Sequence, residues 1–149
     1  MSDEMLKVTV DKFTFLVPRG RFYSDAGVWV KPEASRARLG LSDFVQQSSG
    51  DVAFANVKLV GTKLERGDEF ADIETVKVNV SLSSPVKGTI VEVNSRLAEA
   101  GELMNQDPYG AGWLAVIELA DWASDRGPLL DPEAYLAFVK NQAEAEMKK

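Results

Sequence analysis

This 149-residue sequence predicts a mainly β fold, a sandwich or flattened barrel of two antiparallel sheets with short helices and one helix at the C-terminal end. Three observations predict it. Short runs of alternating apolar and polar residues recur between Lys7 and Leu119. Glycine and proline punctuate those runs, as at Pro18, Gly20, Pro32, Gly61 and Gly67. Only beyond Asp131 does the apolar spacing become helical.

The elements follow in order. Lys7 to Val17 alternates, with a phase slip across Asp11-Lys12, so it reads as two short strands or one bulged strand. Val28, Trp29 and Val30 form a strand ended by Pro32, with Arg36 to Leu41 as its partner. Ser42 caps a short helix through Gln47, which Gly50 ends. Val52, Phe54 and Val57 give a strand, and Gly67-Asp68 turns into the next hairpin. Thr89 to Val93 is a strand, Asn94 caps a short helix through Glu99, and Asp107 to Gly112 is a turn-rich loop before the strand Trp113 to Leu119. Asp131-Pro132-Glu133 starts the final helix with an N-cap acid, a first-turn proline and a further acid. Tyr135, Leu136, Phe138, Val139 and Ala143 then fall at helical spacing, and the charged tail from Ala143 to Lys149 is expected to fray.

Composition narrows function. The length favours one domain over residues 1–149, and a hydrophobic content of 45% suffices for a sizeable core. The net charge of −6 argues against a nucleic acid or an anionic membrane as partner and suits basic docking surfaces on other proteins. No eighteen-residue apolar run and no signal-peptide pattern is seen, so a soluble cytoplasmic protein is expected. The sequence has neither Cys nor His. That excludes a thiolate nucleophile, a Cys-based metal site and a Ser-His-Asp triad. No catalytic residue and no metal ligand is assigned, because no carboxylate stands out. Redox or transfer chemistry here requires a cofactor to supply the reactive atoms.

One lysine is marked by its setting. Before Lys77, Ala71 and Ile73 take odd positions, with Asp72 and Glu74 between them; after it, Val76, Val78, Val80 and Leu82 take even positions. Side chains alternate faces along a strand, so this parity switch means a bulge, a turn or a crossing between sheets. Phe70 breaks the pattern at its start. Glu74 lies three residues before the lysine, and Gly67 and Gly88 lie about ten residues to either side. Spacing alone leaves Lys77 open as one surface lysine among many, but together these features describe a stiff hairpin that holds one amine clear of the body, within reach of a modifying enzyme. Trp29 and Trp113 read as sheet residues, Gly110-Ala111-Gly112 is too short for a nucleotide loop, and Asp121, Asp125 and Asp131 are too dispersed for a metal site.

These residues resemble the glycine cleavage H proteins. Glu74-Thr75-Val76-Lys77-Val78 is similar to the family's Glu-Ser-Val-Lys-Ala attachment motif. Gly67-Asp68-Glu69-Phe70, Pro85-Val86-Lys87-Gly88 and Val91-Glu92-Val93-Asn94 match neighbouring family segments. Asn105-Gln106-Asp107-Pro108-Tyr109-Gly110-Ala111-Gly112-Trp113-Leu114 and Gly40-Leu41-Ser42-Asp43-Phe44 match others, and the resemblance runs from about Tyr23 to Phe138. It implies a lipoyl-domain-like fold and a non-catalytic carrier, with lipoic acid joined as an amide to Lys77. It further implies that Glu74 and Gly88 help a lipoylating enzyme recognise the hairpin.

The departures bear on the partner. Where family members carry His-Glu-Trp, this sequence reads Gly27-Val28-Trp29; Ser81 stands where an acid is common. Residues 1–20 form an additional N-terminal β segment, beside the helix expected over 131–147. Two partner systems are therefore carried forward. In one, the protein shuttles an aminomethyl group among the glycine cleavage enzymes. In the other, it serves as a lipoate-binding protein of bacterial sulfur oxidation beside a heterodisulfide-reductase-like complex. A biotin carrier has a similar hairpin, but its lysine lies between methionines. An unmodified binding module would leave Lys77 free.

Overall fold

The parity breaks in the sequence are hairpin turns. Residues that face each other across an antiparallel pair share one side of the sheet, so partners whose numbers sum to an odd value reverse the parity of the inward positions. Strand β1 (Met5–Val10) pairs with β2 (Phe13–Pro18) in the register Val10 to Phe13, around a turn in which Asp11 has φ 57°. The structure, a computed structural model, describes residues 4–147.

After the two-residue β3 (Phe22–Tyr23), β4 (Val28–Glu33) and β5 (Arg36–Leu41) form a second hairpin, and helix α1 (Asp43–Ser49) follows. Ser42 caps α1, its side chain accepting the Val45 N–H, and Gly50 ends it. Next come β6 (Val52–Val57), the short β7 (Lys63–Leu64), β8 (Glu69–Thr75), β9 (Asn79–Ser83) and β10 (Gly88–Val93). A 3-10 turn at Ser95–Ala98, capped by Asn94, leads to α2 (Leu103–Gln106), β11 (Ala115–Leu119), α3 (Trp122–Asp125) and α4 (Pro132–Met147). The two-residue strands β3 and β7 and the single-turn helices α2 and α3 are too short to leave a period in the sequence.

Two antiparallel sheets make the sandwich. The larger has the order β3-β4-β5-β11-β10-β7, and the smaller β6-β8-β9. Their inner faces share one core, with Val28, Val30, Leu39 and Ile117 from the first meeting Ala55, Phe70, Ile73 and Leu82 from the second. Phe70 departs from the alternation because the β8–β9 register shifts between Glu69 and Ala71, a bulge that lets Phe70 and Ala71 both point inward.

The β1–β2 hairpin is a separate two-stranded sheet outside the sandwich. An isolated pair of strands is marginal in water, so its apolar face needs cover. That cover is α4, whose Tyr135, Val139 and Ala143 meet Val10, Phe15 and Val17 in a second core with Tyr23, Trp29 and Phe44. The expected fraying of the tail is therefore corrected: α4 stays helical through Met147, because Ala143 is buried against the hairpin side of the molecule. Lys148 and Lys149 lie outside the described residues. Polar contacts also tie β2 to Asp43 of α1 and to Tyr109. The Tyr109 hydroxyl donates to Leu16 O and accepts from Asp43 N–H, while Asp43 accepts from Leu16 N–H. Burial pushes the Tyr109 phenol well above its ordinary range.

Candidate functional site

Lys77 occupies the third position of a four-residue turn, Thr75-Val76-Lys77-Val78, that joins β8 to β9. Positive φ would be costly for β-branched Val76, and among the described non-glycine residues only Asp11 and Ala34 adopt it. The turn therefore lacks the primed backbone usual for a two-residue hairpin loop. A side chain compensates. The Thr75 hydroxyl accepts the N–H of Lys77 at 3.2 Å and of Val78 at 3.0 Å, and donates to Val78 O at 3.0 Å. The Thr75 N–H also bonds to Val78 O at 2.9 Å.

The tip leans on a neighbouring corner. Val76 N–H donates to Asp51 O at 3.2 Å, and the Lys77 stem passes Gly50 so closely that a Cβ there would lie 3.5 Å from Lys77 Cε. Asn105 on α2 holds this corner. Its carboxamide accepts from Val52 N–H at 2.8 Å and donates to Gly50 O at 3.1 Å and to Gln46 Oε1 at 2.9 Å. Gln46 in turn donates to Asp43 Oδ1.

The tip is apolar except for its amine: Val76 is 75% exposed and Val78 50%. Among the described residues Lys77 takes part in no ion pair. An exposed amine on a fixed turn, free of a carboxylate partner, is what acylation by a large enzyme requires. Beneath it, Ala71 and Ile73 face the core, so Asp72 and Glu74 line the outer face of β8, opposite Ser81 and Asn79 of β9. Ser81 donates to Glu69, and that bond, followed by Lys58, holds the Glu69 carboxyl below its usual range.

The sequence-chosen residues are thus not all together. Glu74 shares the hairpin with Lys77. Gly88 does not: it opens β10 in the larger sheet, opposite Leu119 and Leu64. It is a strand residue, and a Cβ there would come within 2.1 Å of Glu118 O, so backbone crowding alone demands glycine. Thr75, Gly50 and Asn105 were not singled out for the turn. A Thr two residues before a turn amide is a local signal that could have been used. Asn105 offered none, since it reaches about fifty residues back along the chain.

Other marked positions are structural. Trp29 is buried, donates to Pro108 O and lies beneath the Arg21 guanidinium; Arg38 covers Trp113. Asp107 builds its own loop by accepting from Ala111 N–H. Among the described residues no three His, Cys, Asp or Glu gather as a metal site would need, and no helix is long and apolar enough to cross a membrane. Residues 27 and 28 are buried. Gly27 has φ 86°, and a Cβ there would strike Val45 Cγ2 at 2.2 Å. The loss of His and Glu at this place therefore belongs to the interior of this chain rather than to its surface.

A tight turn presenting one lysine at the tip of a two-sheet β sandwich is the arrangement of a carrier-type domain. Comparison with known proteins supplies the family. A family model described as Glycine cleavage H-protein matches residues 21–142. The glycine cleavage system H protein of Carboxydothermus hydrogenoformans is 36% identical over 129 residues, covering 87% of this chain and 98% of the relative. That of Bacteroides thetaiotaomicron is 42% identical over 122 residues, covering 82% and 96%. The crystal structure of a glycine cleavage system H protein from Mycobacterium marinum superposes with a TM-score of 0.73 at 28% identity, covering 81% of this chain and 97% of that one. The chain belongs to the glycine cleavage H-protein family, a family of lipoyl carriers. The β1–β2 hairpin precedes the matched residues.

Proposed function

We propose that residues 1–149 work as one lipoyl-carrier domain, with lipoic acid in amide linkage to Lys77, shuttling an aminomethyl group between the enzymes of glycine cleavage. The observation that carries this reading is the exposed Lys77 amine at the tip of a braced turn, within a motif similar to the family's attachment site. When bound, the lipoyl group supplies dithiol–disulfide chemistry that a chain without Cys lacks. The protein's part is to fix the anchor point, to keep the amine reachable, and to offer its acidic surface to partners. The carrier is non-catalytic, and its setting is the cytoplasm. Glu74, on the outer face just below the tip, suits direct contact with a lipoylating enzyme; Gly88 would act by keeping the larger sheet intact.

The test is intact mass after expression with a competent lipoylating enzyme. One lipoyl group is expected on the parent and none on Lys77→Ala. An unchanged parent mass, or a shift matching biotin, would overturn the carrier reading. Charging assays then separate the partner systems. Aminomethyl loading by the glycine cleavage enzymes supports the reading above, and reaction only with a heterodisulfide-reductase-like complex would replace it.

A further inference from the structure

We propose that the Thr75 hydroxyl is a positioning residue for Lys77, presetting the turn that the modifying enzyme meets. The inference rests on the lipoyl reading and goes beyond it, because it assigns the shape of the attachment site to a single side chain.

A threonine hydroxyl has one proton to give and two lone pairs to fill. Here all three are engaged, by Val78 O, Lys77 N–H and Val78 N–H, so the hydroxyl has no bond left to offer an enzyme. Backbone need explains why. A two-residue loop with negative φ at both central residues twists against the strands it joins, and its amides do not close the ladder unaided. The hydroxyl accepts the Val78 N–H that would otherwise seek the Thr75 carbonyl, and it also holds the Lys77 N–H. With Val76 N–H taken by Asp51 O, the amides of both central residues are bonded. The tip is thereby ordered before any partner arrives, which removes an ordering cost from binding.

Chemistry limits the replacements. Serine can make the same three bonds. Valine, equal in shape, can make none. Thr75 is half-buried and lies at the end of β8, outside the central core, so its loss acts on the turn rather than on the sandwich.

The experiment compares the parent with Thr75→Val and Thr75→Ser in two measurements. Enzymatic lipoylation is followed by mass at varied carrier concentration, and amide hydrogen exchange is read residue by residue on the unmodified proteins. For Thr75→Val, KM for the carrier should rise on the order of tenfold, with kcat changed by less than about twofold. The Lys77 and Val78 amides should exchange on the order of tenfold faster, while the other β8 and β9 amides keep their protection. Thr75→Ser should stay close to the parent in both. Parent-like KM or parent-like exchange at residues 77 and 78 in Thr75→Val would overturn the positioning role. So would a Thr75→Ser as impaired as Thr75→Val, or a loss of protection spread through β8 and β9, which would make Thr75 a residue of the sheet as a whole. If the parent itself is not lipoylated, the lipoyl reading fails; if the parent is modified and Thr75→Val equals it, only the role of Thr75 fails.

Discussion

Asn105→Ala tests the corner beneath the lysine. The carboxamide makes three hydrogen bonds, to Val52 N–H, Gly50 O and Gln46 Oε1. A typical bond of this kind contributes about 1 kcal/mol net, so removing all three costs up to about 3 kcal/mol. Asn105 is only half-buried, so water can satisfy some of the stranded groups and the loss should settle near about 2 kcal/mol. With a urea slope of about 2 kcal/mol per molar, the midpoint should fall by about 1 M. Unfolding can be followed by tryptophan fluorescence, since Trp29 is fully buried. The second readout is local: Val76 N–H bonds to Asp51 O, inside the corner that Asn105 holds, so its amide should exchange faster than in the parent. Asn105→Asp should be no better than alanine, because it keeps the acceptor for Val52 but sets a negative charge against Gly50 O and Gln46 Oε1. A midpoint within about 0.2 M of the parent for Asn105→Ala, with unchanged Val76 exchange, would refute the bracing argument.

Further outcomes follow from the same geometry. Gly88→Ala should destabilise the protein by about 2 kcal/mol or more, since its Cβ would meet Glu118 O at 2.1 Å; a parent-like melting temperature with impaired lipoylation would instead make Gly88 a contact of the modifying enzyme. Glu74→Ala should slow lipoylation without lowering the melting temperature, and equal modification rates would remove Glu74 from recognition. Restoring the family histidine by Gly27→His should destabilise strongly, through positive φ and the collision with Val45, as thermal melts would show. Burial pushes the Tyr135 phenol up to about 12, partly offset by its hydrogen bond with Ser42. An unfolded tyrosine ionises near the ordinary 10, so this contribution is intact below that pH and is lost as pH rises toward 12; melting temperatures in Tyr135→Phe should show a shallower decline over that window.

How much was legible in the residues depends on the range of the interaction. The fold class, the phase breaks at Asp11-Lys12 and beside Lys77, and the capped start of the final helix are all written locally, while the residues left open whether the first break is a turn or a bulge. Alternation, parity and capping involve residues a few positions apart, and physical chemistry reads them without the rest of the chain. Both parity breaks proved to be two-residue loops, because only an even number of intervening residues reverses the inward set.

Tertiary structure decided the rest, through contacts between residues distant in sequence. Whether residues 27 and 28 face solvent depends on Val45 and Tyr135 packing at Gly27 and on the second sheet covering Val28. The tail is helical to Met147 because a hairpin more than a hundred residues earlier covers it. Gly88 must be glycine because β11 passes so close. The turn at Lys77 is braced by Asp51 O, and Asn105 holds Gly50 and Val52 on either side of Asp51, a connection that no periodicity encodes. The residues alone marked Lys77 by the phase break beside it. What holds that lysine in place follows from burial and long-range hydrogen bonding, which exist only once the two sheets have met.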